Sequence, residues 1–153
     1  MISLKEFETF IENDIVYEQH LLYYIDDLGR ENLINSVGHL HSVYDKCIKI
    51  EGLEKYNKNI FEHCKSFLHY GPVTCHGFRS FKNSKSFPRH TDPDDVYIKV
   101  IHGDISILLN DIEHNLKNGD TLYIPANTEH MATNKEESLI LSFGLEKFLI
   151  DKI

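Results

Sequence analysis

The segment FPRHTDPDDVYIKVIHG, residues 87 to 103, sets His90 and Asp92 two positions apart in front of a run that reads as a β-strand. Residues i and i+2 of a strand share a face, so the two side chains are expected to point the same way. A further histidine, His130, closes GDTLYIPANTEH on a later segment. Two imidazoles and one carboxylate from neighbouring segments can fill one face of an octahedron and leave the other face open, an arrangement suited to non-haem Fe(II). Spacing alone leaves a second reading open. Asp92-Pro93-Asp94-Asp95 is rich in turn formers, and His130 taken singly fits a hydrogen-bonded surface residue.

The elements that must position these groups fall into two parts. Up to about Tyr70 the apolar residues suggest helices. Phe7, Phe10 and Ile11 open one, and Leu21, Tyr24, Ile25 and Leu28 another. Leu33, Val37, Leu40, Tyr44 and Cys47 form one stripe of a third, and Ile60, Phe61, Cys64, Phe67 and Leu68 mark a fourth. Gly29 and Gly71-Pro72 read as stops. After Pro72 the pattern becomes short β-rich runs: VTCHGFRSF, VYIKVI, ISILL, IEHNL, TLYIP and SLILSFGL. Asn110-Asp111 is a two-residue hairpin turn, and Asn118-Gly119-Asp120 another turn. Short strands with tight turns and no helices between them predict an antiparallel barrel of about eight strands over 72–153. A mainly helical region, 1–71, is expected to pack on it.

Composition narrows the function classes. The chain has 153 residues, 41% hydrophobic and 26% charged, with a formal net charge of -8, which argues against a nucleic-acid partner. No apolar run reaches the length of a membrane span, and MISLKEFETF lacks the apolar segment of a signal peptide. Cys47, Cys64 and Cys75 are odd in number and form no CxxC pair. They are expected as reduced, buried thiols in a cytoplasmic protein.

A resemblance sharpens the first reading. Gly119, Pro125, Asn127, His130 and Asn134 give G-x5-P-x-N-x2-H-x3-N, which resembles the second cupin motif with Asn127 in place of a glycine. Asn tolerates the left-handed backbone that such a turn needs. His90, Asp92 and Gly103 sit where the first cupin motif has its two histidines and final glycine, with Val96 at the usual glutamate position. HTDPDDVYIKVIHG and LKNGDTLYIPANTEH with SLILSFG are similar to the JmjC-like branch of cupins, the Fe(II)- and 2-oxoglutarate-dependent hydroxylases. The likeness spans roughly Ser84 to Leu145. It implies a double-stranded β-helix (a cupin or jelly-roll barrel), with His90, Asp92 and His130 as iron ligands. It also implies O2 and 2-oxoglutarate as cosubstrates, and a small-molecule or peptide substrate.

The chain departs from that branch at the far carboxylate of 2-oxoglutarate. Ile105 stands where the family has a lysine or arginine, and Ile140 where a polar residue often assists. Lys99 is expected to face outward by alternation from Val96. Arg79, Arg89 and His102 remain as candidate anchors for the cosubstrate. Two other readings stay open: an Fe(II) cupin oxygenase or lyase whose substrate itself chelates the metal, and a non-enzymatic cupin that binds a ligand or partner. A homodimer is expected by analogy only. His39 and His41 face different directions on a helix, His63, Cys64 and His69 read as core or boundary residues, and Tyr123, beside the last ligand's loop, reads equally as a pocket-lining or a packing residue.

Overall fold

The computed structural model describes residues 1–148. The N-terminal part holds short helices α1 (Leu4–Phe10), α2 (Asp14–Glu18), α3 (Val37–Ser42) and α4 (Lys58–Lys65), and a 3-10 turn at Leu53–Lys55. Each α-helix opens on a side-chain cap. Ser3, Asn13, Ser36 and Asn57 accept from the backbone N–H groups of Glu6, Ile15, His39 and Ile60. No helix among the described residues is long and apolar enough to cross a membrane.

Two of the four expected helices are corrected. Leu22–Ile25 is a strand, β1, paired with β2 (Glu31–Leu33), and Cys47–Ile50 is a strand, β3. Asp26 turns the first pair into a hairpin. Its Oδ1 accepts from Leu28 N and Arg30 N, both at 2.9 Å, and Gly29 takes φ +75. The stripe from Leu33 to Cys47 is therefore divided among β2, the six-residue α3 and β3. Runs this short are too brief for periodicity to separate strand from helix. Pairing decides it, because β3 adds to the edge of β4 (Val73–Ser80) through Ile48, Lys49 and Ile50.

Beyond Pro72 the described residues contain six strands rather than about eight: β4, β5 (Asp95–Leu109), β6 (Ile112–Lys117), β7 (Thr121–Ile124), β8 (His130–Thr133) and β9 (Ser138–Leu145). VYIKVI and ISILL are one fifteen-residue strand. A bulge between Val100 and His102 bends it, so its first half pairs with β7 and β9 and its second half with β6 and β8. Gly103 sits at the bend with φ +76, where a side chain would run into the Glu137 carbonyl. The order β2-β1-β3-β4-β9-β5-β6 is antiparallel throughout. Asn110 and Asp111 both take positive φ, 48 and 64, and form the predicted hairpin turn between β5 and β6.

Alternation along β4 separates two interiors. Cys75 and Gly77 face the cluster under the helices, with Phe7, Ile11, Leu53, Ile60 and Phe143. Burying each large side chain there contributes about 1.5–3 kcal/mol. Gly77 permits close approach, since a Cβ would lie 2.8 Å from the Phe7 ring. The opposite residues, Thr74, His76, Phe78 and Ser80, face the barrel interior.

Candidate metal centre

His90, Asp92 and His130 converge. One donor atom from each lies within 4.8 Å of the other two, with His90 Nε2 3.7 Å and His130 Nε2 3.2 Å from Asp92 Oδ2. The HxD pair is not on a regular strand. His90 forms a single antiparallel bridge with His130, closed by N–H to carbonyl bonds of 3.1 and 2.9 Å, and Asp92 lies in the turn before β5. Backbone pairing nevertheless fixes the geometry. Asn127 N–H donates to the Asp92 carbonyl at 2.7 Å, and Asn127 holds φ 61, the left-handed conformation the motif requires. Asp95 Oδ1 accepts from Ala126 N–H at 2.8 Å, tying the same two segments together.

The imidazoles are oriented from behind. His90 Nδ1 donates to the Pro88 carbonyl at 2.8 Å, and His130 Nδ1 donates to the Thr128 carbonyl at 2.9 Å. Both rings therefore present Nε2 to the carboxylate, the outer-shell arrangement common behind metal-binding histidines. Two imidazole Nε2 atoms and a carboxylate, so oriented, make a donor set that fits a divalent transition metal. The three groups also hold each other. The hydrogen bond to Asp92 pushes the His130 pKa up, outweighing the opposite effect of burial. Its counterpart draws the Asp92 pKa down, aided by the charge of His90.

The triad lies in the wall of a cavity of about 330 Å³, a volume at the small-molecule end of ligand sites. Phe78, Phe87, Ile98, Ile105, Ile107 and Ile140 supply much of the apolar lining. Ile105 and Ile140 thus face the interior, and Val96 does too, while Lys99 is absent from the lining as alternation predicts. Asn134 fastens the segment that carries Phe87: its Nδ2 donates to Ser84 O at 3.0 Å and to Ser86 Oγ at 2.8 Å.

None of the three candidate anchors enters the cavity. Arg79 points to the other face of β4. It is 4% exposed, bonded to Glu137 at 3.0 Å, Glu8 at 3.4 Å and the Ser80 and Ser138 carbonyls, and it stacks on Phe81. His102 pairs with Glu137 at 3.0 Å on that outer side. Arg89 is half-exposed and bonds Asp111 at 2.6 Å and Glu129 at 3.0 Å, so it clamps the neighbours of the two histidines. The sequence reading missed Lys49 and His76, which do line the cavity. Lys49 was hidden because its strand read as helix, although Ile48-Lys49-Ile50 alternates with period two. It lies between Glu31 and Glu51, at 3.1 and 3.0 Å. His76 projects inward from β4. Its Nδ1 is buried without a hydrogen-bond partner among the described residues, and burial pushes its pKa down.

Of the remaining candidates, His63 packs edge-on against Phe67 and lies 4.9 Å from the Phe143 ring. His69 bonds the Glu146 carbonyl, and Tyr123 stacks on Tyr97 outside the cavity. The cysteines are free and buried, and burial pushes the Cys47 and Cys64 thiols up to about 11, where they stay protonated.

Comparison with known proteins agrees with this architecture. The sequence pattern of a family described as "Cupin domain" matches residues 77–143. Among curated proteins, none matches the sequence. A conserved protein of unknown function from Streptococcus pyogenes superposes with TM-score 0.51 at 16% identity, over 67% of this chain and 76% of that one. A cupin 2 conserved barrel domain protein from Leptotrichia buccalis gives TM-score 0.51 at 16% identity, over 66% of this chain and 41% of that one. The chain therefore has the cupin double-stranded β-helix fold, and the match to the cupin pattern falls on the strands from β4 to β9.

Proposed function

We propose that this protein is a mononuclear Fe(II) cupin oxygenase acting on a small molecule. The observation that carries the reading is the convergence of His90, Asp92 and His130 in the wall of a cavity sized for such a ligand. Iron held by these three donors supplies one-electron chemistry toward O2 and a Lewis-acidic seat for a chelating ligand. The chain's own residues do the rest. The Pro88 and Thr128 carbonyls hold both imidazoles in the tautomer that leaves Nε2 free for a metal. Asp92 brings a compensating negative charge, and the aromatic and isoleucine lining gives the ligand an apolar wall to pack against.

A second reading adds 2-oxoglutarate as cosubstrate, as in the JmjC-like branch. Lys49 favours it, being the one lysine or arginine among the described lining residues. Its two glutamate partners weigh against it, because a further carboxylate would meet two already there. Anaerobic Fe(II) titration separates these readings. Iron binding that is lost in Asp92→Ala supports the metal centre, and failure to bind iron refutes it. A visible charge-transfer band on adding 2-oxoglutarate supports the second reading. Iron binding without that band leaves a substrate that chelates iron directly.

A further inference from the structure

The segment that delivers His90 has little backbone support. Residues 85–89 lie outside every strand and make no backbone–backbone hydrogen bond among the described residues. Asn134 fastens the segment at Ser86, and the bridge to His130 fastens it at His90. Phe87 and Pro88, between these two points, are placed by packing. The Pro88 carbonyl is the group that orients the His90 ring, 2.8 Å from Nδ1. Where Pro88 sits therefore decides where Nε2 points.

Much of that packing comes from the N-terminal part. A Cβ on Gly29, in the turn between β1 and β2, would stand 2.9 Å from Pro88 Cδ and 3.6 Å from the Ser86 carbonyl oxygen. Gly29 thus lies flush against the proline ring, where a side chain would have to push it. The turn is stiff. Asp26 Oδ1 accepts from the N–H groups of Leu28 and Arg30 at 2.9 Å, and Asp26 Oδ2 accepts from Asn32 Nδ2 at 3.0 Å. Asp26 N–H also donates to the Arg30 carbonyl, and Gly29 N–H to the Asp26 carbonyl, both at 2.9 Å. Next to the hairpin, Lys49 of β3 sets its ammonium 5.5 Å from the centre of the Phe87 ring and is itself held by Glu31 of β2.

We propose that the β1–β2 turn is a buttress for the metal centre, with Gly29 a positioning residue that acts on His90 through Pro88. This rests on the metal reading above and gives the hairpin a part in it. A fixed Pro88 carbonyl keeps His90 Nε2 aligned with Asp92 and His130, so the donor set is preorganised.

Co(II) is the probe, used with the full chain in competition titrations and in NMR. Gly52 supplies the control. It holds φ +70, close to the +75 of Gly29, yet a Cβ there meets nothing nearer than 3.7 Å. Both alanine variants carry the strain of a side chain at positive φ, and only Gly29→Ala also presses on Pro88. Gly29→Ala should weaken Co(II) binding about tenfold or more, the scale of losing an outer-shell partner, and Gly52→Ala should bind as the wild type does. Removing the ring that is pressed upon should reverse the effect. Pro88→Ala should weaken binding in the wild-type chain and strengthen it in Gly29→Ala. Of the two exchangeable ring N–H signals that bound Co(II) shifts, the His90 signal should move in Gly29→Ala. The His130 signal, held by the Thr128 carbonyl, should not. Equal affinities for the two alanine variants, or a Pro88→Ala effect of one sign in both backgrounds, overturns the buttress and leaves the metal reading standing. Failure of Co(II) to bind the wild-type protein overturns both. If Gly29→Ala does not fold, Pro88→Ala alone decides: unchanged affinity with an unmoved His90 signal overturns the buttress.

Discussion

The two faces of β4 contrast. On the outer face Cys75 and Gly77 are packed under α1, Leu53 and Phe143, and Arg79 has partners on several sides. On the inner face His76 keeps an unpartnered nitrogen beside a cavity. One strand thus separates a filled interior from an open one. Residues two apart share a role and residues one apart do not. Stability and ligand recognition can then be altered separately, by substitutions at adjacent positions.

The largest effect should come from the filled side. Phe7→Ala removes a fully buried ring from the outer cluster and should destabilise the fold by about 3–5 kcal/mol in denaturant unfolding. Metal affinity of the folded protein should stay as in the wild type. A parallel loss of affinity would show that the two faces are coupled. On the open side, Asp92→Ala should weaken divalent-metal binding on the order of 100-fold or more, since loss of even an outer-shell partner costs 10–100-fold. Its metal-free melting temperature should fall only by what the half-exposed bond to His130 contributes, far less than in Phe7→Ala. Asp92→Asn keeps the shape without the charge, so the difference between the two variants isolates the electrostatic share.

The pH dependence follows from the paired shifts. The folded His130 pKa is raised above its ordinary 6.5, so its stabilising contribution is complete below that value and fades as pH rises through the folded pKa. The folded Asp92 pKa lies below 3.8, so its contribution is present above that value and is lost as pH falls through the folded pKa. A metal needs His130 Nε2 deprotonated. Competition titrations should therefore show affinity rising until pH passes the raised His130 value, with the rise displaced to lower pH in Asp92→Asn. A pH-independent affinity would remove His130 from the ligand set. The smallest effect belongs to Arg89→Ala, which frees Asp111 and Glu129 at the rim. It should reduce metal affinity by about tenfold at most, with little change in melting temperature because both pairs are exposed.

How much of this was legible in the sequence varied with the length of each signal. SLILSFGL is β9 over the same eight residues, and Asn110-Asp111 and Asn127 adopt the backbone their residue types suggested. His90, Asp92 and His130 were brought to one place by motif spacing, although their pairing is a lone bridge rather than a strand. LYYI and CIKI were illegible as strands because four residues carry too little period; pairing supplies what they lack, CIKI along β4 and LYYI along CIKI. With β3 read as helix, Lys49 had no route to the cavity. Arg79 was misplaced for a different reason. Its side chain could be assigned to a face only by knowing which residues of β4 point inward, and no motif marks that strand.

The His90–His130 bridge has a kinetic side. It joins the turn ahead of β5 to the strand lying against the last residue of β5, Leu109. The intervening chain includes the bend at Gly103, two further strands and their turns. Such a contact is non-local, so the entropy of closing the intervening chain is met before the bridge repays it. A half-assembled barrel would have its sheets begun and its triad still scattered. The donor set is thus a product of the whole barrel's topology rather than of any one hairpin within it.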